Sequence, residues 1–164
     1  MAVMIDAATQ TDLAAILALL ERAGLPQDGL ADHLATTLVA RQDGAIVGSA
    51  ALELYGAAAL LRSVAVEARL RGQGLGQQLT RAALDLARHR GVTTVYLLTE
   101  TAGNFFPRFG FRPIERSAVD PAVQQSIEFR SACPTSAQVL VASLTAAAPL
   151  HARPTTLDDA SRIA

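Results

Sequence analysis

The apolar positions of this chain change period several times, and each change marks an element. Val3 to Ala7 is a short apolar run that predicts a first strand. Thr9 or Thr11 can cap a following helix, in which Leu13, Ile16, Leu17 and Leu20 recur at helical spacing up to a stop at Gly24. Pro26 and Gly29 mark a loop, and Leu30 to Thr36 predicts a short second helix. Leu38 to Arg41 and Ala45 to Tyr55 flank Gln42-Asp43-Gly44, which predicts a hairpin. Gly56 offers another turn, and Leu60 to Val66 then makes a third consecutive strand of an antiparallel meander.

The pattern switches after Val66. A basic, glycine-rich loop, Arg69 to Gly76, opens a long helix with an apolar stripe of Leu75, Leu79, Ala82, Ala83 and Leu86. Gly91 ends it, and Thr94 to Thr99 is a strand rich in β-formers. Strand, loop, helix and strand in this order predict a parallel crossover. Gly103 to Phe109 allows one or two helical turns, Pro121 to Glu128 a weak helix, and Gln138 to Leu144 a closing strand. The fold class is therefore α/β in the α+β sense, a mixed sheet with helices on its faces. Residues 1–144 form one domain, and 145–164 read as a linker-like tail or the start of a second, truncated domain.

The loop carries the first chemical signal. The alternate glycines of Arg71-Gly72-Gln73-Gly74-Leu75-Gly76 remove Cβ atoms and let an anion approach the backbone. The helix that follows offers unpaired N–H groups and the positive end of its dipole. Together they predict a phosphate cradle, with Arg69 and Arg71 adding charge-assisted contacts. A P-loop would continue Gly-Lys-Ser/Thr, but Gln77-Gln78 follows Gly76; a dinucleotide fingerprint would need glycine at Gln77.

Composition narrows the remaining classes. Half of the chain is hydrophobic (51%) but only 4% is aromatic, so the core must rest on Leu, Val, Ile and Ala. A net charge of -1 gives no support for a nucleic-acid or membrane-surface partner. No apolar run reaches the roughly 18 residues of a membrane span. Met1 to Asp6 lacks the basic start of a signal peptide. Cys133 is the only cysteine, and His33, His89 and His151 are scattered. These features predict a cytoplasmic protein with no metal site.

The order Arg71, Gly74, Gly76 between a strand and a helix resembles the acyl-CoA motif of the GNAT acetyltransferases. Asn104-Phe105-Phe106-Pro107-Arg108-Phe109-Gly110-Phe111 resembles the same family's Phe-Tyr-x-x-x-Gly-Phe segment. The resemblance implies a mixed sheet of six to seven strands with a splayed strand pair and helices on both faces. It implies acetyl-CoA as co-substrate, held by Val64, Ala65, Val66, Arg71, Gly72, Gln73, Gly74, Leu75, Gly76, Asn104 and Phe106. The Val64 N–H is the expected donor to the thioester carbonyl. Phe106 stands where the family's tyrosine commonly protonates the leaving thiolate, so that role passes to no side chain here.

On the acceptor side the same fold places Glu53 and Glu100 at strand ends facing the cleft, as candidate bases for the attacking amine. Arg62 interrupts an apolar strand, and either binds a substrate carboxylate or pairs with Glu53. Tyr55 and His33 are further acceptor-pocket candidates.

A narrower resemblance, to arsenic-resistance N-acetyltransferases, rests on residues 52–56, 59–66, 96–99, Glu128-Phe129 and 133–137. It implies a small amino-acid-like amine acceptor, an organoarsenical or glutamate-like toxin. A protein N-terminal or lysine acetyltransferase and a non-catalytic acyl-CoA binder remain the alternatives. The apolar strand Val139 to Leu144 would permit a symmetric homodimer.

Overall fold

The structure is a computed structural model that describes residues 2–132 and 136–144. The proposed tail at 145–164 and Cys133 lie outside the described residues.

One sheet organises the chain. Its strands are β1 (Val3–Ala7), β2 (Thr37–Gln42), β3 (Ala45–Tyr55), β4 (Ala58–Val66), β5 (Thr94–Thr99), β6 (Arg112–Pro113) and β7 (Gln138–Ser143), in the order β1-β2-β3-β4-β5-β7-β6. β1 to β4 form the antiparallel meander, β5 lies parallel to β4, and β7 lies antiparallel to both β5 and β6. The β2–β3 hairpin turns on Asp43 and Gly44, both at positive φ, as a two-residue turn of the primed kind requires. β4 begins two residues earlier than its apolar run, because Ala58 already pairs with Tyr55. β5 and β6 flank β7, β6 pairing with it only at Leu140 and Val141.

Among the described residues two α-helices cover opposite faces of the sheet. α1 (Leu13–Arg22) buries Ile16, Leu19 and Leu20 against Val39, Ala51 and Ala65. Thr9 starts this region: its N–H donates to the Asp12 carboxylate at 2.7 Å, and Arg41 reaches the same carboxylate from β2. A 3₁₀ segment, Leu30–Thr36, extends the layer.

α2 (Leu75–His89) covers the other face. Its buried side is Leu75, Leu79, Thr80, Ala83, Leu84 and Ala87, while Ala82 and Leu86 are only partly buried. The expected stripe was thus rotated, because the helix docks on small strand residues that admit Ala83 and Ala87 closely. Leu79 packs where Gly48 leaves room: a Cβ there would lie 2.7 Å from Leu79 Cδ1. Among the described residues no helix is long and apolar enough to cross a membrane.

Candidate active site

β4 and β5 create the site by separating. They pair only at Ala58–Thr94, Ala59–Val95 and Leu60–Tyr96. Beyond these positions β5 keeps β7 as its neighbour, while β4 runs on along β3 alone. A cleft of about 730 Å³ opens in the gap. Leu61 to Val66 form one wall and Leu97 to Ala102 the other, with Pro26, Arg71, Asn104, Phe106 and Glu128 also lining it.

β4 changes register inside this wall. Ser49 pairs with Ala65 but Ala51 pairs with Arg62, so Ser63 and Val64 together oppose Ala50. This is a β-bulge, which breaks the alternation of backbone directions. Ser63 sits at φ 60, an unusual value for a side-chain-bearing residue. Its carbonyl accepts a hydrogen bond from the Ser49 hydroxyl at 2.7 Å, and its hydroxyl accepts from Arg62 Nε at 3.1 Å. The bulge is thereby pinned from both neighbours.

One end of the cleft has the chemistry of an anion cradle. Arg71, Gly72 and Gln73 are exposed, and Gly74 takes a left-handed N-cap conformation at φ 89. A Cβ on Gly72 would meet open space, so nothing of the protein fills the approach to the backbone there. Arg71 Nε donates to the Val66 carbonyl at 3.1 Å, which ties the loop to the end of β4. Asn104 is exposed and lines the cleft; Phe106 is buried there and stacks edge-on with Phe105 and Phe111.

The other end is dominated by a buried charge cluster. Glu53 sits opposite Leu60, and Arg62 opposite Ala51, so the two are diagonal neighbours on one face of the sheet. Arg62 Nη1 donates to Glu53 at 2.8 Å, its Nη2 to the Pro26 carbonyl at 3.3 Å, and its Nε lies 3.3 Å from Glu128. The Arg62 and Glu53 side chains are 0% and 1% exposed. Tyr55 donates its hydroxyl proton to Glu53 at 2.5 Å, and His33 Nε2 lies 3.7 Å away.

Burial pushes the Glu53 carboxyl up, but hydrogen bonds from Tyr55, Arg62 and Ser126 and the field of His33 outweigh it and hold it below the usual carboxylate range. Burial and the Glu53 charge together push the Tyr55 hydroxyl up to about 12.

The predicted site residues therefore divide. Val64 to Val66, Arg71, Asn104, Phe106, Arg62 and Glu100 meet around the cleft. Glu53, Tyr55 and His33 cluster with Arg62 but do not line the cleft. Of the two readings of Arg62, pairing with Glu53 is the arrangement found. Sequence reasoning missed Glu128 as a site residue. It comes from a π turn, Glu128–Ala132, far along the chain from its partner, and only the unusual Arg62 hinted that a second carboxylate was needed.

Residues 33–113 match the family model for an acetyltransferase (GNAT) domain. N-acetylglutamate synthase from Neisseria gonorrhoeae, complexed with coenzyme A and N-acetyl-glutamate, superposes with a TM-score of 0.75 at 23% identity, over 88% of this chain and 36% of that one. The fold is that of the GNAT acetyltransferases. Rv2747 from Mycobacterium tuberculosis, solved in complex with CoA, shares this GNAT fold with a TM-score of 0.73 at 23% identity, over 87% of this chain and 99% of that one. An uncharacterized N-acetyltransferase of Chlorobaculum tepidum is 32% identical over 90 residues, 54% of this chain and 57% of the relative. The chain thus spans just over half of that relative's length and about a third of the Neisseria synthase. The splayed β4–β5 pair and the glycine-rich loop both lie within the matched segment of the GNAT domain.

Proposed function

We propose that the chain transfers an acetyl group from acetyl-CoA to the primary amine of a small molecule, within a ternary complex. One observation carries this reading: a single cleft runs from Arg71, in the glycine-rich loop, past the bulged backbone of β4, to Thr99, Glu100 and Thr101 at the end of β5. The exposed cradle of Arg71 to Gly76 suits a pyrophosphate, and Asn104 and the Phe106 ring suit the arm that follows it. Bound there, acetyl-CoA supplies an acyl thioester. On the side of β4 that β5 leaves open, the Val64 N–H is the donor we assign to the carbonyl oxygen, where charge gathers as the amine attacks. The new N–C bond forms as the C–S bond breaks, and the nitrogen gives up one proton.

Glu100 is the carboxylate we assign to receive that proton, directly or through water. It is exposed and lines the cleft. Glu53 serves Arg62 instead, because a carboxylate stabilised in its ionised form is a weak proton acceptor. Phe106 has no proton to give, so the departing thiolate takes its proton from solvent; a thiol of pKa about 8.5 leaves tolerably near neutral pH.

The finer reading, an amino-acid-like acceptor such as an organoarsenical or glutamate-like toxin, draws support from the N-acetyl-glutamate bound by the Neisseria synthase. An Arg62 grip on the acceptor's carboxylate would require that guanidinium to leave Glu53 and Glu128.

Thiol release from acetyl-CoA, followed across amino acids, an organoarsenical amino acid, alkyl amines and peptides with free N-termini, tests the proposal. Turnover with small amines is expected. Tight acetyl-CoA binding with no acetylation of any acceptor would leave a binding module and overturn transfer. Turnover confined to peptides would redirect it to proteins.

A further inference from the structure

A strained backbone and an unspent proton meet at one residue of the cleft wall. Among the described residues, only Asp43 and Ser63 carry a side chain at positive φ. Asp43 has a tight turn to make, at the tip of the β2–β3 hairpin. Ser63 lies inside strand β4, at φ 60, where glycine would sit without strain. Strain of this kind persists only where the surroundings enforce it, and it gathers at active sites.

The surroundings use all of Ser63 except its hydroxyl proton. The carbonyl accepts from the Ser49 hydroxyl at 2.7 Å, and Oγ accepts from Arg62 Nε at 3.1 Å. A serine hydroxyl accepts and also donates. Its proton meets no acceptor among the described residues. Ser63 is buried, at 7% exposed, yet it lines the cleft together with Val64. The Arg62 guanidinium behind it is 0% exposed and anchored on Glu53 at 2.8 Å, so the accepting side of the hydroxyl is held in place. A hydroxyl that accepts from a cation is polarised into a better donor.

We propose that the Ser63 hydroxyl is a second hydrogen-bond donor to the carbonyl oxygen of the acyl thioester, beside the Val64 N–H. This deepens the acetyl-transfer reading and rests on it. The two donors belong to consecutive residues of the bulge, where β4 has lost β5 as a neighbour. The carbonyl oxygen has two lone pairs and gains negative charge as the amine attacks, so both contacts strengthen toward the transition state. Glycine at position 63 would give the same bulge without the hydroxyl, which accounts for a strained serine there.

Ser63→Gly, made in the full chain, separates the two roles of the residue. It relieves the positive φ, so its Tm is expected to equal or exceed the parent's. Its kcat is expected to fall about a hundredfold, the size of one lost donor, with the KM for acetyl-CoA unchanged. A direct readout needs no acceptor: the infrared carbonyl band of acetyl-CoA carrying a ¹³C-labelled acetyl group. Bound to the parent, the band is expected below its position in free acetyl-CoA; bound to Ser63→Gly, it should move back toward that position. A serine that only shapes the bulge would leave the band where the parent has it, and that result overturns the proposal. So does an undiminished kcat in Ser63→Gly. A parent that acetylates no acceptor would remove the transfer reading, while the band would still decide the Ser63 contact.

Discussion

Arg62 was conspicuous as a charge inside an apolar strand, and its surroundings explain why it is tolerated. A buried cation persists only when carboxylates and carbonyls replace its water, and Glu53, Glu128 and Pro26 do so. Arg62→Met should remove the cation that Glu53 and Glu128 share and cost about 3–5 kcal/mol in urea unfolding. Its pH dependence should also reverse sign. In the parent chain the Glu53 carboxyl is held low, so its contribution is complete above the unfolded value of about 4.3 and is lost as pH falls through the folded value. Without Arg62 that carboxyl is driven up by burial, and acidification should stabilise the variant. Equal slopes from pH 7 to 4 would remove the pair from the stability account. On the alkaline side Tyr55, pushed up to about 12, contributes stability that is complete below pH 10 and lost as pH rises toward 12. Tyr55→Phe should flatten that limb in the same unfolding experiment. Ser49 gives a second residue-scale prediction. Its buried hydroxyl holds the Ser63 carbonyl of the bulge, and Ser49→Ala should cost about 1–3 kcal/mol and lower kcat more than it changes either KM. A large KM change at constant kcat would show that the bulge positions substrate rather than the oxygen-binding N–H.

At the scale of elements, α2 couples the cradle to the sheet. Its N-terminus presents the glycine loop, and its buried side grips β3 through Leu79 over Gly48. A side chain at Gly48 would meet Leu79, the Ala40 Cβ and the Ala65 carbonyl, the last two at 3.3 Å. Gly48→Val should therefore push α2 outward, destabilise the fold by about 1–3 kcal/mol and weaken acetyl-CoA binding together with it. Normal binding in a destabilised variant would show that the loop keeps its shape without the helix seat. This coupling also explains what the sequence could tell. Elements with a clear period, such as β3 or α2, were legible, and so was the loop, because Gly72 and Gly74 sit at positive φ, where glycine has a direct backbone reason. The face of α2 was not, since the buried stripe depends on the small residues of strands it has not yet met. Two-residue β6 carries too little pattern to be read at all.

Across the whole molecule, the half of the cleft we assign to acetyl-CoA is made from one continuous stretch, β4 through α2 to the Phe106 turn, while the half we assign to the acceptor is assembled from distant pieces. Pro26, Arg62, Glu100 and Glu128 come from four separate regions of the chain. Local motifs therefore announced the first half, and only the fold could bring the second together. The two halves should respond differently to ligand. A ligand that binds only the folded state stabilises it by RT ln(1 + [L]/Kd), about 2.7 kcal/mol at a hundredfold excess over Kd. For a chain of this size that is a rise of about 5–10 °C in Tm. Acetyl-CoA is expected to produce this rise alone, because the donor half is already formed by the glycine loop, Asn104 and Phe106. Gly74→Glu should abolish it, by placing a carboxylate and a strained left-handed backbone at the cradle, while the variant's own Tm falls only by the cost of that strain, about 1–2 kcal/mol. Glu100→Gln, at the far end of the same cleft, should keep the full shift. A thermal series of these proteins with and without acetyl-CoA decides the point. An undiminished shift in Gly74→Glu would move the nucleotide away from the helix start and separate the cleft from the loop that defines it.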